Sequence, residues 1–190
     1  MNINKAIRKQ RKLFKSFLLS MSFIFFILPI ISISTGSLNA FFLIYLTTIQ
    51  ILIVIAVIKR VNKENLKFKY NNKIKIESGI LKNRYTILCD KVNIVHTINK
   101  EKDLKIIMIL SSRFRNKKIN KIDSKFLKKY TCMKKYYHNL KCEKHSEKYY
   151  YLVINKGGYS KYQLLDMIYR YCVQAYFTEE AIENIKEYRN

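Results

Sequence analysis

The feature that most constrains this chain is a stretch of 43 residues, from 16 to 58, that contains no charged side chain. A helix needs roughly 20 apolar residues to cross a bilayer, so this stretch is too long for one crossing and suits two. A cluster of turn-forming residues at 34–39 divides the stretch. We therefore predict a two-span transmembrane hairpin over 17–58, with spans at 17–33 and 40–58.

Basic residues flank this hairpin on both sides, whereas the loop between the spans carries no charge. The flanking residues are Lys5, Arg8, Lys9, Arg11, Lys12 and Lys15 before the first span, and Lys59, Arg60, Lys63, Lys67 and Lys69 after the second. Positive charges near membrane spans remain on the cytoplasmic side. The pattern predicts a multi-pass protein of the cell membrane with both termini cytoplasmic, and residues 1–16 form its basic N-terminus. The alternative is a cleaved signal peptide, but the second span would still anchor the rest.

The remainder of the chain is basic and water-facing, but unevenly so. The whole sequence has 37 Lys and Arg against 13 Asp and Glu, a formal net charge of +24. Residues 59–142 hold 24 of these cations and six of the acids, whereas residues 143–190 hold seven of each. With 49% apolar residues, four glycines and one proline, the composition excludes collagen-like and low-complexity disordered classes.

Alternation of apolar and polar residues after the hairpin predicts short strands. The candidate strands lie at 66–70, 74–76, 85–88, 106–110 and 149–154, and Val92, Ile94 and Val95 form a further apolar patch. Ser160 is a candidate N-cap for a helix, and Thr178 precedes a short helix within 177–190. The predicted fold class is α+β: a two-helix transmembrane hairpin, then a small antiparallel β-barrel or sheet with a C-terminal helix.

One part of this region resembles a known family. The residues that carry the resemblance are Ile76-Glu77-Ser78-Gly79-Ile80-Leu81-Lys82-Asn83-Arg84, Thr86-Ile87, Asp90-Lys91-Val92 and Val95. This pattern resembles the bacterial pleckstrin-homology-like (PH-like) domain, which often follows a pair of membrane spans. The resemblance implies a seven-stranded barrel with a C-terminal helix over residues 59–176, interrupted by a basic insertion at 112–147. It implies no catalytic residues.

Basic residues in this domain are the candidates for contact with an anionic ligand. We predict lipid or phosphate contacts for Lys59, Arg60, Arg84, Arg113, Arg115, Lys117, Lys118, Lys121, Lys128 and Lys129. Each cation near an anionic membrane contributes about 1 kcal/mol to binding. Two alternatives stay open, namely a solvated basic face and a nucleic-acid surface. The nucleic-acid alternative is based on aromatic residues that lie between these cations in the sequence and whose rings could stack on bases: Phe114, Phe126, Tyr130, Tyr136 and Tyr137.

Two cysteines and two histidines lie close together within the basic insertion. They are Cys132, His138, Cys142 and His145, a set with the right residue types for zinc. Their spacing matches no usual zinc finger or knuckle, so we favour ordinary residues in a basic loop, and we predict no metal and no cofactor. Cys89 and Cys172 are expected to be small core residues, and all four thiols to be free.

Signatures of enzymes are missing from the sequence. It has no P-loop, no dinucleotide-binding glycine turn, no Gly-x-Ser-x-Gly and no His-Glu-x-x-His. His96 lies between apolar residues of a predicted strand and is expected to be a strand residue rather than a base. We therefore predict a protein that is not an enzyme.

These observations lead to two hypotheses of function. In the first, a non-catalytic integral membrane protein binds anionic lipid or a membrane partner protein through its basic PH-like domain. Small membrane proteins with this layout resemble the self-immunity factors of bacteriocin producers. In the second, the protein is a membrane-tethered nucleic-acid binder that acts in plasmid maintenance or copy-number control.

Overall fold

The structure is a computed structural model that describes residues 3–34, 36, 39–80, 83–100, 103–116, 118–143 and 148–190. Its helices in these residues are α1 (Ile3–Ser34), α2 (Ala40–Glu64), α3 (Ser124–Lys129), α4 (Cys132–Glu143), α5 (Ser160–Tyr171) and α6 (Glu179–Arg189). Its strands are β1 (Leu66–Tyr70), β2 (Ile74–Ser78), β3 (Asn83–Ile87), β4 (Val92–Lys100), β5 (Asp103–Leu110), β6 (Asn120–Lys121), β7 (Tyr150–Ile154) and β8 (Tyr176–Phe177). The predicted α+β class is confirmed: two long apolar helices come first, followed by small sheets and a C-terminal helix.

The two N-terminal helices are each long and apolar enough to cross a membrane. Only 6% of the residues in the most apolar part of α1 are buried, and none of those in the most apolar part of α2. The rest of the described protein therefore leaves most of these apolar side chains uncovered. Thr47 and Ser32 donate their hydroxyls to carbonyls of their own helices, which satisfies these polar groups locally. Such helices fit a location in a membrane. Both are longer than the predicted spans, because the basic flanks continue the helices to Ile3 and to Glu64.

The strands form two sheets. The first is an antiparallel meander in the order β1-β2-β3, and the second has the order β6-β7-β5-β4-β8. Neighbours in the second sheet are antiparallel except for β4 and β8, which are parallel.

Neither sheet closes into a barrel within the described residues. A short 3-10 helix at Cys89–Lys91 separates β3 from β4. Asn116 then occupies the outer edge of β3: its side chain accepts from the N–H of Thr86 (2.8 Å) and donates to the C=O of Thr86 (2.7 Å). A side-chain amide therefore satisfies backbone groups with which another strand would have paired.

The larger of two hydrophobic clusters in the described residues is shared by the two sheets and forms the main core. Ile74 and Ile76 of β2, Ile106 and Met108 of β5 and Leu164 of α5 belong to this core, and all five side chains are fully buried. This arrangement follows from the alternation in β2 and from the apolar stripe of α5. The predicted cap of α5 is wrong, because Ser160 is the first helical residue and Tyr159 precedes it at the cap position. Thr178 does occupy the N-cap position of α6.

The N-terminal end of α1 is part of this core. Ile3 is 1% exposed and Ile7 is 4% exposed, and both belong to the core between the sheets. Gln10 follows one turn later, and its Oε1 accepts a hydrogen bond from the N–H of Tyr159 at the start of α5. The first helix thus packs directly against the sheets and helices that follow α2, which we call the body. The basic residues around Ile3 and Ile7 made this contact hard to predict from the sequence.

The basic insertion folds over the outer face of the second sheet. The prediction of a basic loop is wrong here, because most of the segment forms β6, α3 and α4. Asp123 caps α3 by accepting from the N–H of Phe126 (2.7 Å), and the Phe126 ring stacks on Tyr151 of β7 with 4.0 Å between centroids. Met133 of α4 is fully buried in the same cluster. The insertion therefore turns its apolar side chains inward and its lysines outward.

Candidate functional site

The outer face of the first sheet is basic. Side chains alternate between the two faces of a strand, so the residues between the core positions of β1–β3 point outward. Lys67, Lys69, Lys75 and Arg84 are exposed on this side. We call these four residues the basic face.

Strand register brings the cations of this face next to one another. Lys69 is directly opposite Lys75, whereas Glu77 lies between Lys67 and Arg84. Glu77 accepts from the Nε of Arg84 at 2.8 Å. Like charges directly opposite each other in a sheet are destabilising, and the described residues place no carboxylate within ion-pair distance of Lys69 or Lys75. An anionic ligand would relieve this repulsion.

A loop along the edge of β3 extends the basic surface. Residues 112–116 and 118, which we call the edge loop, are held at β3 by two hydrogen bonds between Asn116 and Thr86. Asn116 also donates to the C=O of Arg113 within the loop (2.9 Å). Asn116 is 8% exposed. Further along, Lys118 donates to the side chain of Asn83. The edge loop is therefore attached to β3 at two residues, Thr86 and Asn83.

Phe114 lies at the centre of the edge loop in a strained backbone conformation. Its φ of 45° is in the left-handed region, which is uncommon for a residue with a bulky side chain. The ammonium of Lys73 lies 4.7 Å from the centroid of its ring, and the Arg115 guanidinium lies 5.9 Å from it. Attraction between cations and the ring face helps to hold Lys73 and Arg115 close together.

The structure brings together only part of the predicted contact set. Four of the predicted residues lie on β3 or in the edge loop beside it and are exposed: Arg84, Arg113, Arg115 and Lys118. Arg84 is paired with Glu77, and Lys118 donates to Asn83. The prediction for Lys117 falls outside the described residues.

The other predicted contacts lie elsewhere on the protein. Lys121 is on β6, and Lys128 and Lys129 are on α3, beside the far sheet's outer face. Lys59 and Arg60 are on α2, where Arg60 Nε contacts Glu64 Oε1 at 2.6 Å. The nine predicted residues that the structure describes therefore do not form one site.

Three residues of the basic face were not among the contacts with an anionic ligand that the sequence predicted. Lys67, Lys69 and Lys75 alternate with core residues of β1 and β2, and that alternation was visible in the sequence. The missing information was the pairing of the two strands, which places Lys69 opposite Lys75.

The Cys and His residues of the insertion do not assemble into a metal site within the described residues. Cys132, His138 and Cys142 lie on α4 rather than in a loop, and His145 is outside the described residues. No three His, Cys, Asp or Glu side chains in the described ranges come close enough together to hold a metal ion.

His96 is a buried strand residue, as predicted. Its Nδ1 is 3.0 Å from the hydroxyl oxygen of Thr178 and 3.6 Å from a carboxylate oxygen of Glu180. Burial lowers the pKa of His96 below its ordinary value, and the negative charge of Glu180 opposes this effect. The side chain joins β4 to the start of α6.

Comparison of the chain with protein-family models, with curated proteins and with solved structures gave no match.

Proposed function

We propose that this chain is a non-catalytic integral membrane protein whose basic cytoplasmic body binds anionic phospholipid headgroups of the inner leaflet. In this proposal α1 and α2 cross the bilayer as a hairpin with both termini cytoplasmic. The body is a PH-like domain in an open form, an idea supported by two sheets that face one core and by a helix that follows the last long strand.

The observation that carries the proposal is the unneutralised basic face. Lys69 and Lys75 lie opposite each other, and the one carboxylate that the described residues place on this face, Glu77, is paired with Arg84. Exposed like charges in register are unfavourable for folding alone. They become favourable next to an anionic surface, where each cation contributes about 1 kcal/mol.

In this proposal the covalent connection to α2 keeps the start of the basic face near the membrane. The apolar part of α2 ends at Ile58, and six more helical residues carry the chain about 9 Å further. Lys67 follows in β1. Electrostatic attraction to the leaflet falls off over about 8 Å at physiological salt, so Lys59, Arg60, Lys63 and Lys67 would interact most strongly.

The packing of the insertion favours lipid over nucleic acid. A base-stacking surface needs exposed rings, but Phe126 is 3% exposed and stacks on Tyr151. Tyr136 and Tyr137 pack against the same cluster. An amphipathic cover on the second sheet thus accounts for the interleaving of lysines with Phe126, Tyr136 and Tyr137, whereas Phe114 lies in the edge loop against Lys73 and Arg115.

The test uses the full chain, because Ile3 and Ile7 are part of the body's core and a fragment without α1 would lack them. The protein is placed in nanodiscs of phosphatidylcholine alone or of equal parts phosphatidylglycerol and phosphatidylcholine, and thermal unfolding of the body is followed at low and high salt. We expect the anionic lipid to raise the Tm, because a ligand that binds only the folded state stabilises it. High salt should reduce the increase.

Two matched variants make the result specific. Lys69→Gln with Lys75→Gln should lose part of the lipid-dependent increase, whereas Lys125→Gln with Lys134→Gln, an equal change of charge on α3 and α4, should keep it. An equal Tm in both lipids would contradict the proposal. Binding of labelled duplex DNA by the protein in neutral nanodiscs, with a steep salt dependence, would favour the nucleic-acid alternative.

A further inference from the structure

A cleft of about 560 Å³ opens where the hairpin joins the body. Its walls come from both helices, from the start of β5 and from the turn before α5. The cleft is lined by residues that include Lys9, Leu13, Arg60, Lys63, Glu64 and Asp103. The volume is within the range of pockets that hold small ligands.

The two carboxylates of the cleft are already neutralised by neighbours. Glu64 contacts Arg60 Nε at 2.6 Å and accepts from Gln10 Nε2 at 3.2 Å. Asp103 contacts the buried ammonium of Lys161 at 2.6 Å.

Two lysines of the cleft keep their charge uncompensated. The ammonium groups of Lys9 and Lys63 are exposed, and no described carboxylate lies within ion-pair distance of either. Arg60 uses its Nε for Glu64, and a guanidinium has four further N–H donors. The cleft therefore has an excess of positive charge and of hydrogen-bond donors.

With α1 and α2 crossing the bilayer as proposed, these cations would lie at the outer edge of the headgroup layer, next to the lipid phosphates. Lys9 precedes the uncharged stretch by seven residues, about 10 Å of helix, and Lys63 follows it by five residues, about 8 Å. The headgroup layer on each side of a bilayer is about 5–8 Å thick. Leu13 lies between this level and the hydrocarbon and is 54% exposed, so it presents an apolar wall on the bilayer side.

We propose that this cleft is a specific site for the phosphate of one anionic phospholipid. Lys9, Lys63 and the remaining N–H groups of Arg60 bind the phosphate oxygens, and Leu13 contacts the glycerol end of the acyl chains. The inference rests on the proposed function, since it requires the cleft to lie at the inner leaflet. It adds a single bound lipid to the diffuse attraction of the basic face.

The experiment is native mass spectrometry of the full chain in detergent, titrated with phosphatidylglycerol or with phosphatidylcholine. We expect one phosphatidylglycerol molecule to remain bound more tightly than the rest. Lys9→Gln with Lys63→Gln should weaken that binding by about thirtyfold, from the usual contribution of two cations near an anionic lipid. Lys9→Arg with Lys63→Arg should retain it, and the control Lys125→Gln with Lys134→Gln should bind as the unaltered protein does.

Each other outcome overturns a defined part of the inference. If the Lys9 and Lys63 glutamine variant keeps the tight lipid while the unaltered protein prefers phosphatidylglycerol, the cleft is not the site and the proposed function stands. If the unaltered protein shows no preference for phosphatidylglycerol, both fail. If glycerol 3-phosphate displaces the lipid or binds in its place, the ligand is a soluble phosphate compound, and the assignment to a lipid is wrong.

Discussion

Gln10 of the first helix accepts a hydrogen bond, 2.8 Å long, from the backbone N–H of Tyr159, a residue 149 positions later in the chain. The same side chain donates to Glu64 at the end of α2. One amide therefore connects both helices of the hairpin to the first turn of α5. Together with the burial of Ile3 and Ile7, this contact makes the hairpin and the body one packed unit.

Gly158 leaves room for the side chain of Gln10, and replacing this glycine should break the hydrogen bond between Gln10 and Tyr159. Gly158 has a φ of +51°, and a Cβ there would overlap the amide of Gln10. Gly36 has a similar φ of +65° but open space around it, so Gly36→Ala serves as a control for backbone strain alone. We expect Gly158→Ala to speed hydrogen exchange of the Tyr159 amide in the full chain, and Gly36→Ala to leave it unchanged. Equal exchange of the Tyr159 amide in both variants would show that Gln10 does not protect this amide.

Ile7 should stabilise the body although it belongs to the first helix. Removing buried methyl groups from Ile7 by substitution with Ala should lower the free energy of unfolding by about 2–5 kcal/mol. Leu19→Ala, in the same helix but at a position 74% exposed, should change it much less. Denaturant unfolding of the body in detergent measures both. Similar stabilities of the two variants would mean that α1 does not contribute to the core.

Asn116 should hold the edge loop against β3. Asn116→Ala removes hydrogen bonds to the N–H and C=O of Thr86 and to the C=O of Arg113, which should destabilise the body by about 1–3 kcal/mol. The Thr86 amide should then exchange faster with deuterium. Asn120→Ala, at an exposed position on β6, is the matched control. Unchanged protection of Thr86 in Asn116→Ala would contradict the assigned role.

His96 should make the body less stable in mild acid. Burial in the folded state lowers the pKa of His96 below its ordinary value of 6.5. The unfolded chain therefore binds a proton at His96 more readily than the folded protein does. The contribution of His96 is present above pH 6.5 and is lost as the pH falls towards the folded pKa, with a slope of at most about 1.4 kcal/mol per pH unit. His96→Gln should remove this slope. The free energy of unfolding of both proteins, measured from pH 7.5 to pH 5, tests the prediction; parallel curves would show that His96 does not titrate on unfolding.

Much of the fold was predictable because its determinants are local. The uncharged stretch predicted the two long helices, and the alternation of apolar and basic residues predicted the strand that carries Lys67 and Lys69. The entry of Ile7 into the core was not predictable, since the cations around it masked two apolar residues one helical turn apart. The open first sheet was not predictable either, because it depends on Asn116, which contacts β3 from thirty positions away.

The candidate site was predictable only in part for a similar reason. Arg84, Arg113 and Lys118 were chosen for their charge, and the structure places them along one strand edge. Lys121 and Lys128 were chosen on the same ground, but they lie beside the other sheet. Charge alone does not say which sheet face a residue occupies, whereas strand pairing does. The roles in self-immunity or plasmid maintenance stay predictions from the sequence.

The most direct test of the account is the side of the membrane on which the body lies. Cys132 and Cys142 are exposed on α4, so cells that express the full chain can be treated with a membrane-impermeant maleimide. With the body on the cytoplasmic side, we expect no labelling of these cysteines in intact cells and strong labelling once the membrane is permeabilised. Labelling in intact cells would put the body outside and would contradict the account.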